Sequence, residues 1–435
     1  MWLGVPGLKR TTIGIVVLVA ASVAIVSCGG SSSPSTSTTH TASGLPFRAF
    51  VSNPLLPVGV ITEPVVQIVD ALHDVLSASP ISLFGSLSQP GLMAVSPTKK
   101  YTMVFSPAGN SVLVISNATE SSASTTQLPG FTQSIAFGVG ETTGYAAVPS
   151  APVTGQVPGA VVVFGIASGG VQATIPVPNA DFIVPSPDGN HLLVFSDGSD
   201  TVTVITTIMI GTSTDPRSYI TGFDRPVWAI FTGNSSAYIF NCGPECTGGS
   251  AGVALLTSLP APGTTVSFTG TTIPTSGATY GLLSASGATL YVAGSPPGTA
   301  CGSGTAATSC GILSLVDTSS MSVTSRSVIT DGYHDRMQLS QNGQLFIGSH
   351  NCTEISITGG EIRGCLSIFN TTNGQVIVPA WSGDVTGIQA ITNRNIVYLC
   401  QGGLFHIYDT TTDNILVQEI PVVIVGDATD VKLVD

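Results

Sequence analysis

The chain has 435 residues, of which only 8% are charged, with 50 Gly, 28 Pro and a net charge of -12. So little charge and so many turn formers describe many short strands joined by turns, and no long amphipathic helix can be written anywhere along the sequence. An acidic chain whose only paired cations besides Lys9-Arg10 are Lys99-Lys100 is excluded as a nucleic-acid binder, and as a binder of anionic membrane through a basic patch.

The first element is a targeting segment. Lys9-Arg10 precedes an apolar run over 13–26, which is too short for a membrane span of about 20 residues and has the order of a secretory signal. Removal of 1–27 takes Lys9 and Arg10 with it and leaves a charge of -12 - 2 = -14. The run ends in Ile25-Val26-Ser27-Cys28, which resembles the lipobox of bacterial lipoproteins. That resemblance implies lipidation of Cys28 and anchorage of an exported protein in the cell envelope, at the outer membrane and facing either the periplasm or the surface. Residues 28–45 are rich in Ser, Thr and Gly and read as a flexible tether, which leaves 46–435 as the folded domain.

Within that domain, 181–205 (DFIVPSPDGNHLLVFSDGSDTVTVI) alternates apolar and polar residues and breaks at Pro187-Asp188-Gly189 and at Asp197-Gly198-Ser199-Asp200. It predicts three strands and two tight turns. The same unit recurs. First strands enter their turns at Ser96, Gly138, Ser186, Thr232, Ser284, Ser340 and Thr392, giving spacings of 42, 48, 46, 52, 56 and 52 residues by subtraction. A period of this length with four strands per unit predicts a β-propeller.

The ends predict how the ring closes. Residues 48–53 (RAFVSN), 65–70 (VVQIVD) and 81–87 read as second, third and fourth strands of a blade that lacks its first, and 430–435 (DVKLVD) read as a first strand with no successors. Joined, they make an eighth blade and remove the open sheet edges. Seven blades is the alternative if 48–87 packs elsewhere. The combination of RAFVSN, VQIVDALHDVLSASPISLFG and SPDG resembles the YVTN-type β-propeller repeat proteins, from residue 47 onward. The resemblance implies an all-β propeller and assigns no site.

Strand direction alternates in a blade, so second-to-third-strand loops and inter-blade loops share one face. Long insertions at 149–159, 241–252, 294–311 and 349–364 fall there, whereas the turns of the other face are mostly two to four residues. Binding usually resides on such loops. Three cysteine pairs, Cys242 with Cys246, Cys301 with Cys310 and Cys352 with Cys365, each sit within one insertion and predict disulfides in an exported chain. Cys400 is left as a buried thiol. The alternative for Cys242-Gly-Pro-Glu-Cys246 is half of a zinc knuckle, but no second close pair completes four ligands, so no metal and no cofactor is expected.

Residues four or five positions before each turn line the channel mouth: Asp181 with Phe182, Trp228, Tyr280, Asp335 with Arg336, and Asp430, flanked by Asp224, Arg225, Tyr333, His334, Asp384 and Asp427. Aromatics beside Arg, His and carboxylates predict a polar pocket; the other reading is that the aromatics pack between blades and the charges are solvated. No Gly-x-Ser-x-Gly, His-Glu-x-x-His or phosphate-binding glycine loop occurs. The sequence therefore predicts a lipid-anchored, extracytoplasmic propeller that binds a protein, glycan or small ligand without catalysis. The alternatives are a lactonase, hydrolase or lyase using His334, Arg336 and nearby carboxylates, and a subunit of an envelope assembly machine.

Overall fold

The computed structural model describes residues 42–58, 61–77, 79–83, 91–299, 301, 309–357, 361–415 and 423–435. The signal segment, Cys28, most of the tether and residues 84–87 of the first blade's expected fourth strand lie outside them.

Eight sheets of four main strands form the eight blades of a β-propeller. Their inner strands are Asp430–Leu433 (blade 1), Met93–Val95 (blade 2), Ser134–Phe137 (blade 3), Ala180–Pro185 (blade 4), Pro226–Phe231 (blade 5), Tyr280–Leu283 (blade 6), Tyr333–Leu339 (blade 7) and Val385–Ala390 (blade 8). Second and third strands are covered on both faces by neighbouring blades. They are therefore apolar without alternation, as in the wholly buried Ala160–Gly165 (AVVVFG), while outer strands such as Ser121–Gln127 (SSASTTQ) carry the Ser and Thr. Eight separate apolar clusters result, one in each seam between adjacent blades.

The recurrent serine of the repeat has a defined task. Ser96, Ser186, Ser284 and Ser340 each accept, on Oγ, the N–H that opens the second strand, at 3.0, 3.0, 3.0 and 2.9 Å. In blade 4 the Asp188 carboxylate also accepts from Ser186 Oγ and from Asn190 N–H, and Gly189 takes φ +72°, so the SPDG signature is a turn fixed by its own side chains. Blade 8 lacks this serine. The backbone places Ile391, not Thr392, at the equivalent position, because it is Ile391 N–H that bonds the Ile396 carbonyl; a search for a hydroxyl there lands one residue late.

Two local expectations differ from the structure. The outer strand of blade 1 begins at Val75 and comes in two pieces, Val75–Leu76 and Ile81–Ser82, both paired with Ile61–Asp70; Pro80, which has no N–H, falls at the break. The short-turn face also carries two long connections, 207–216 and 257–271. The second contributes Thr265–Ser267, which pairs parallel with Arg217–Thr221 and gives blade 4 a fifth strand, with Phe223 stacked on Phe268 at 4.9 Å.

Ring closure is as expected: Asp430–Leu433 pairs antiparallel with Arg48–Val58, Ala49 opposite Leu433 and Ser52 opposite Asp430. Side chains reinforce it. Arg48 donates to Asp435 through Nε at 2.7 Å and Nη2 at 2.8 Å, and through Nη1 to Glu120 at 2.7 Å and to the Asn117 carbonyl at 2.7 Å. Asp430 accepts the Met93 N–H of blade 2 at 2.8 Å. Arg48→Met removes the guanidinium that the buried Glu120 and Asp435 both engage, and we expect a loss of about 3–5 kcal/mol, read as a lower midpoint in urea unfolding; a midpoint unchanged from the parent removes the clasp as a stabilising element.

Candidate functional site

The inner strands begin irregularly on the loop face. In blade 4, Ala180 pairs with Ser196 and Phe182 with Phe195, leaving Asp181 unpaired; Val227, Asp335 and Thr386 are extra in the same way in blades 5, 7 and 8. A bulge of this kind re-aims one side chain. It turns Asp181 and Asp335 into a cavity of about 430 Å³ on the loop face, walled by blades 3, 4, 5 and 7. Phe182, Phe195, Asp197, Arg225, Tyr333 and His350 complete most of its lining, and Cys246 carries a disulfide to its rim.

The charge in this cavity is mostly negative. Burial and the neighbouring Asp197 push the Asp181 carboxyl above its ordinary range. The Asp335 carboxylate, 3.6 Å from Nδ1, raises the His350 imidazole against the opposing effect of burial. Asp335 Oδ1 is buried without a hydrogen bond and lies 3.9 Å from Arg336 Nε, itself without one. Arg225, the arginine of the described lining, is engaged by the Gly198 carbonyl and lies 3.5 Å from Asp200. The Tyr333 and His350 rings pack together at a tilt of 47°, with ring centres 5.2 Å apart.

The other residues singled out by position separate into three groups. Phe182, Trp228 and Tyr280 form a continuous arc across blades 4 to 6, edge-to-face at 5.0 Å and then stacked at 4.8 Å; Trp228 Nε1 is buried without a partner. Burial, with Asp335 adding to it and Arg336 opposing it, pushes the Tyr280 hydroxyl up to about 12. Arg336 follows the bulged Asp335 and shares the fields of Asp335, Asp430 and Tyr280. His334 and Asp430 are not part of the cavity. His334 is wholly buried, with Nε2 3.1 Å from the Thr330 carbonyl and a ring that leaves space for nothing larger than Gly at 311; burial lowers it to about 4, so it is a neutral packing residue. Asp430 serves the closure.

Asp197, His350 and Glu245 were not singled out by position. Asp197 belongs to the Asp197-Gly198-Ser199-Asp200 turn, which is a hairpin turn between His191–Ser196 and Thr201–Thr206; His350 ends the second strand of blade 7. Glu245 is held in a short 3-10 turn closed by the Cys242–Cys246 disulfide. Its carboxylate accepts the Ser295 N–H at 2.7 Å, yet burial pushes it up to about 7. The other two predicted disulfides, Cys301–Cys310 and Cys352–Cys365, are formed, and Cys400 is a buried free thiol. Such disulfides are the chemistry of an oxidising, extracytoplasmic compartment. Among the described residues no group of His, Cys, Asp and Glu is placed to hold a metal ion.

No protein-family model and no curated protein matches the sequence. Solved structures do match by shape. They include the dihydro-heme d1 dehydrogenase NirN (11% identity, covering 90% of this chain and 75% of that one, TM-score 0.56), the Dos1 propeller (12%, 78% and 85%, 0.55) and the periplasmic gluconolactonase PpgL of Pseudomonas aeruginosa (13%, 89% and 99%, 0.50). At these identities the likeness shows the propeller fold alone.

The raised Glu245 has a definite consequence for stability. The carboxyl ionises near its ordinary value when unfolded but near 7 when folded, so its contribution is fully present below about pH 4.5 and is lost as pH rises to about 7. Glu245→Gln should therefore stabilise the protein by roughly 2 kcal/mol at pH 8 and leave it unchanged at pH 4, measured as denaturation midpoints at both values; a variant no more stable at pH 8 contradicts the burial argument.

Proposed function

We propose that this protein is a lipid-anchored, extracytoplasmic propeller that binds a ligand in the loop-face cavity without transforming it. The observation that carries the reading is the cavity itself: four blades contribute to it, two of its carboxylates are aimed by bulges in rigid inner strands, and a disulfide fixes its rim. A preformed pocket of this size with apolar walls and a few convergent polar groups is the usual form of a binding site. Asp181, Asp197 and Asp335 against the engaged Arg225 favour a neutral or positively charged group, presented by a small molecule, a glycan or a side chain of a partner protein, and disfavour phosphates and carboxylates.

The catalytic alternative is less well supported, since His334, one of its candidate residues, is buried away from the cavity and bonded to a backbone carbonyl. The likeness of RAFVSN and SPDG to the YVTN-type repeats fits a binding module, and the Ile25-Val26-Ser27-Cys28 tetrapeptide supports an anchor at Cys28 in the cell envelope.

Thermal unfolding in the presence of a panel of amines, neutral sugars, carboxylates and phosphate esters tests the ligand class. Amines or neutral compounds should raise the midpoint, by about 2.7 kcal/mol of stability at a hundredfold excess over Kd. Asp335→Asn should abolish the rise given by amines, and stabilisation by phosphate esters alone would overturn the charge argument. In cell fractionation, Cys28→Ala from which the signal segment has been cleaved should move from the particulate to the soluble fraction; retention of the processed variant in the particulate fraction removes the lipid anchor.

A further inference from the structure

We infer that the loop-face cavity opens into the central channel and that its ligand is a neutral saccharide, with one sugar ring on the arc of Phe182, Trp228 and Tyr280 and its hydroxyls turned to Arg336 and Gln338. The inference rests on the binding reading above and names the ligand class of that same site.

The inner strands of blades 4 to 7 each pair along one edge only, so the other edge borders the channel. Phe182, Trp228, Tyr280 and Arg336 stand four residues before Ser186, Thr232, Ser284 and Ser340 and are half-buried, whereas the residues that follow them, Ile183, Ala229, Gly281 and Met337, are buried. Two residues further along, on the same side of each strand, the pattern continues. Blades 4 to 6 place Val184, Ile230 and Leu282 there, and blades 7, 8 and 1 place Gln338, Gln389 and Lys432, all half-buried. The channel is therefore two-faced, aromatic and aliphatic along one wall and polar along the other. Space reaches these walls from both ends: the loop-face cavity touches Phe182 and Asp335, and a second cavity of about 580 Å³ on the short-turn face touches Gln338 and Gln389.

Part of the polar wall is already engaged. Lys432 Nζ donates to Asp430 at 3.0 Å, and Gln389 accepts the Leu433 N–H at 3.1 Å and donates to the Ala390 carbonyl at 2.9 Å. Arg336 and Gln338 differ. Among the described residues neither side chain makes a hydrogen bond to protein, and Arg336 Nε stands 3.9 Å from Asp335. A guanidinium only donates, whereas a primary amide both donates and accepts, so the two together match hydroxyl groups. Charge selects a neutral ligand: Arg336 and Lys432 are balanced by Asp335 and Asp430, and the cavity above adds Asp181 and Asp197, which repel an anion. A pyranose satisfies both walls at once. The C–H bonds of one ring face lie against the electron-rich faces of aromatic rings, and the hydroxyls around its edge reach donors and acceptors. An amine pairs with the carboxylates alone and leaves Arg336 and Gln338 without partners.

The test reads Trp228 directly. The chain has three tryptophans, Trp2, Trp228 and Trp381, so in the full chain Trp381→Phe leaves Trp228 as the one tryptophan of the ring. The methyl pyranosides of glucose, galactose, mannose and N-acetylglucosamine, together with glucuronic and galacturonic acids, are titrated into this variant. At least one neutral sugar should shift the Trp228 emission saturably. In the same background Arg336→Met should weaken its Kd tenfold or more, and Gln338→Leu severalfold; the second substitution removes no charge and keeps the test decisive should the first fail to fold. Tighter binding of the uronic acids overturns the neutral class, and sugar binding that leaves Trp228 emission or both variants unaffected overturns the site. If no sugar binds while amines raise the unfolding midpoint, the saccharide assignment falls and the binding reading stands. If neither class binds, both fall.

Discussion

Everything in this molecule depends on the pairing of Asp430–Leu433 with Arg48–Val58. Each blade has two apolar faces, and in a ring each face has a neighbour; one missing strand would expose a sheet edge on blade 1 together with the clusters that flank it. The pairing brings residues near both ends of the described fold together. Arg48, Glu120, Asp430 and Asp435 meet at this one seam, where ion pairs supply the direction that apolar contact lacks.

The cavity shows a second division of labour. The scaffold is nearly charge-free and its repeat is held by small hydroxyls, so the charged groups that remain are free to collect where strands begin and loops end. A single extra residue in the inner strands of blades 4 and 7 is enough to take a carboxylate out of the regular alternation and set it at the channel mouth. His334 and Arg336, on either side of Asp335, show how sharply this acts, one packed inside the blade and the other within the field of Asp430 and Tyr280.

The sequence reading was accurate where physics is periodic. Spacing of turn serines gave the blades, an orphan strand gave the closure, and cysteines inside insertions gave their pairing, because each depends on local chemistry repeated in register. It was weaker where one residue breaks a period. The bulges follow from no motif: position along the strand points to Asp181 and Asp335, and it points equally to Asp430 and to the flanking His334, which the structure puts in the clasp and in a seam. Asp197 reaches the cavity from the turn that follows a second strand and His350 from the end of another, so no pattern in the inner strands could have indicated them. The two-piece outer strand of blade 1 and the exchanged strand Thr265–Ser267 likewise depend on contacts between units.

The clasp joins Arg48 to Asp435, 387 positions apart. A chain made at about 5–20 residues per second waits roughly 20–80 s between the two, and during that interval blade 1 has no inner strand. Blades 2 to 8 can each assemble from consecutive residues as they emerge, whereas the ring as a cooperative unit exists only afterwards. The Arg48–Val58 strand can pair at once with Ile61–Asp70, but its other edge can be covered only after residues 430–433 have been made.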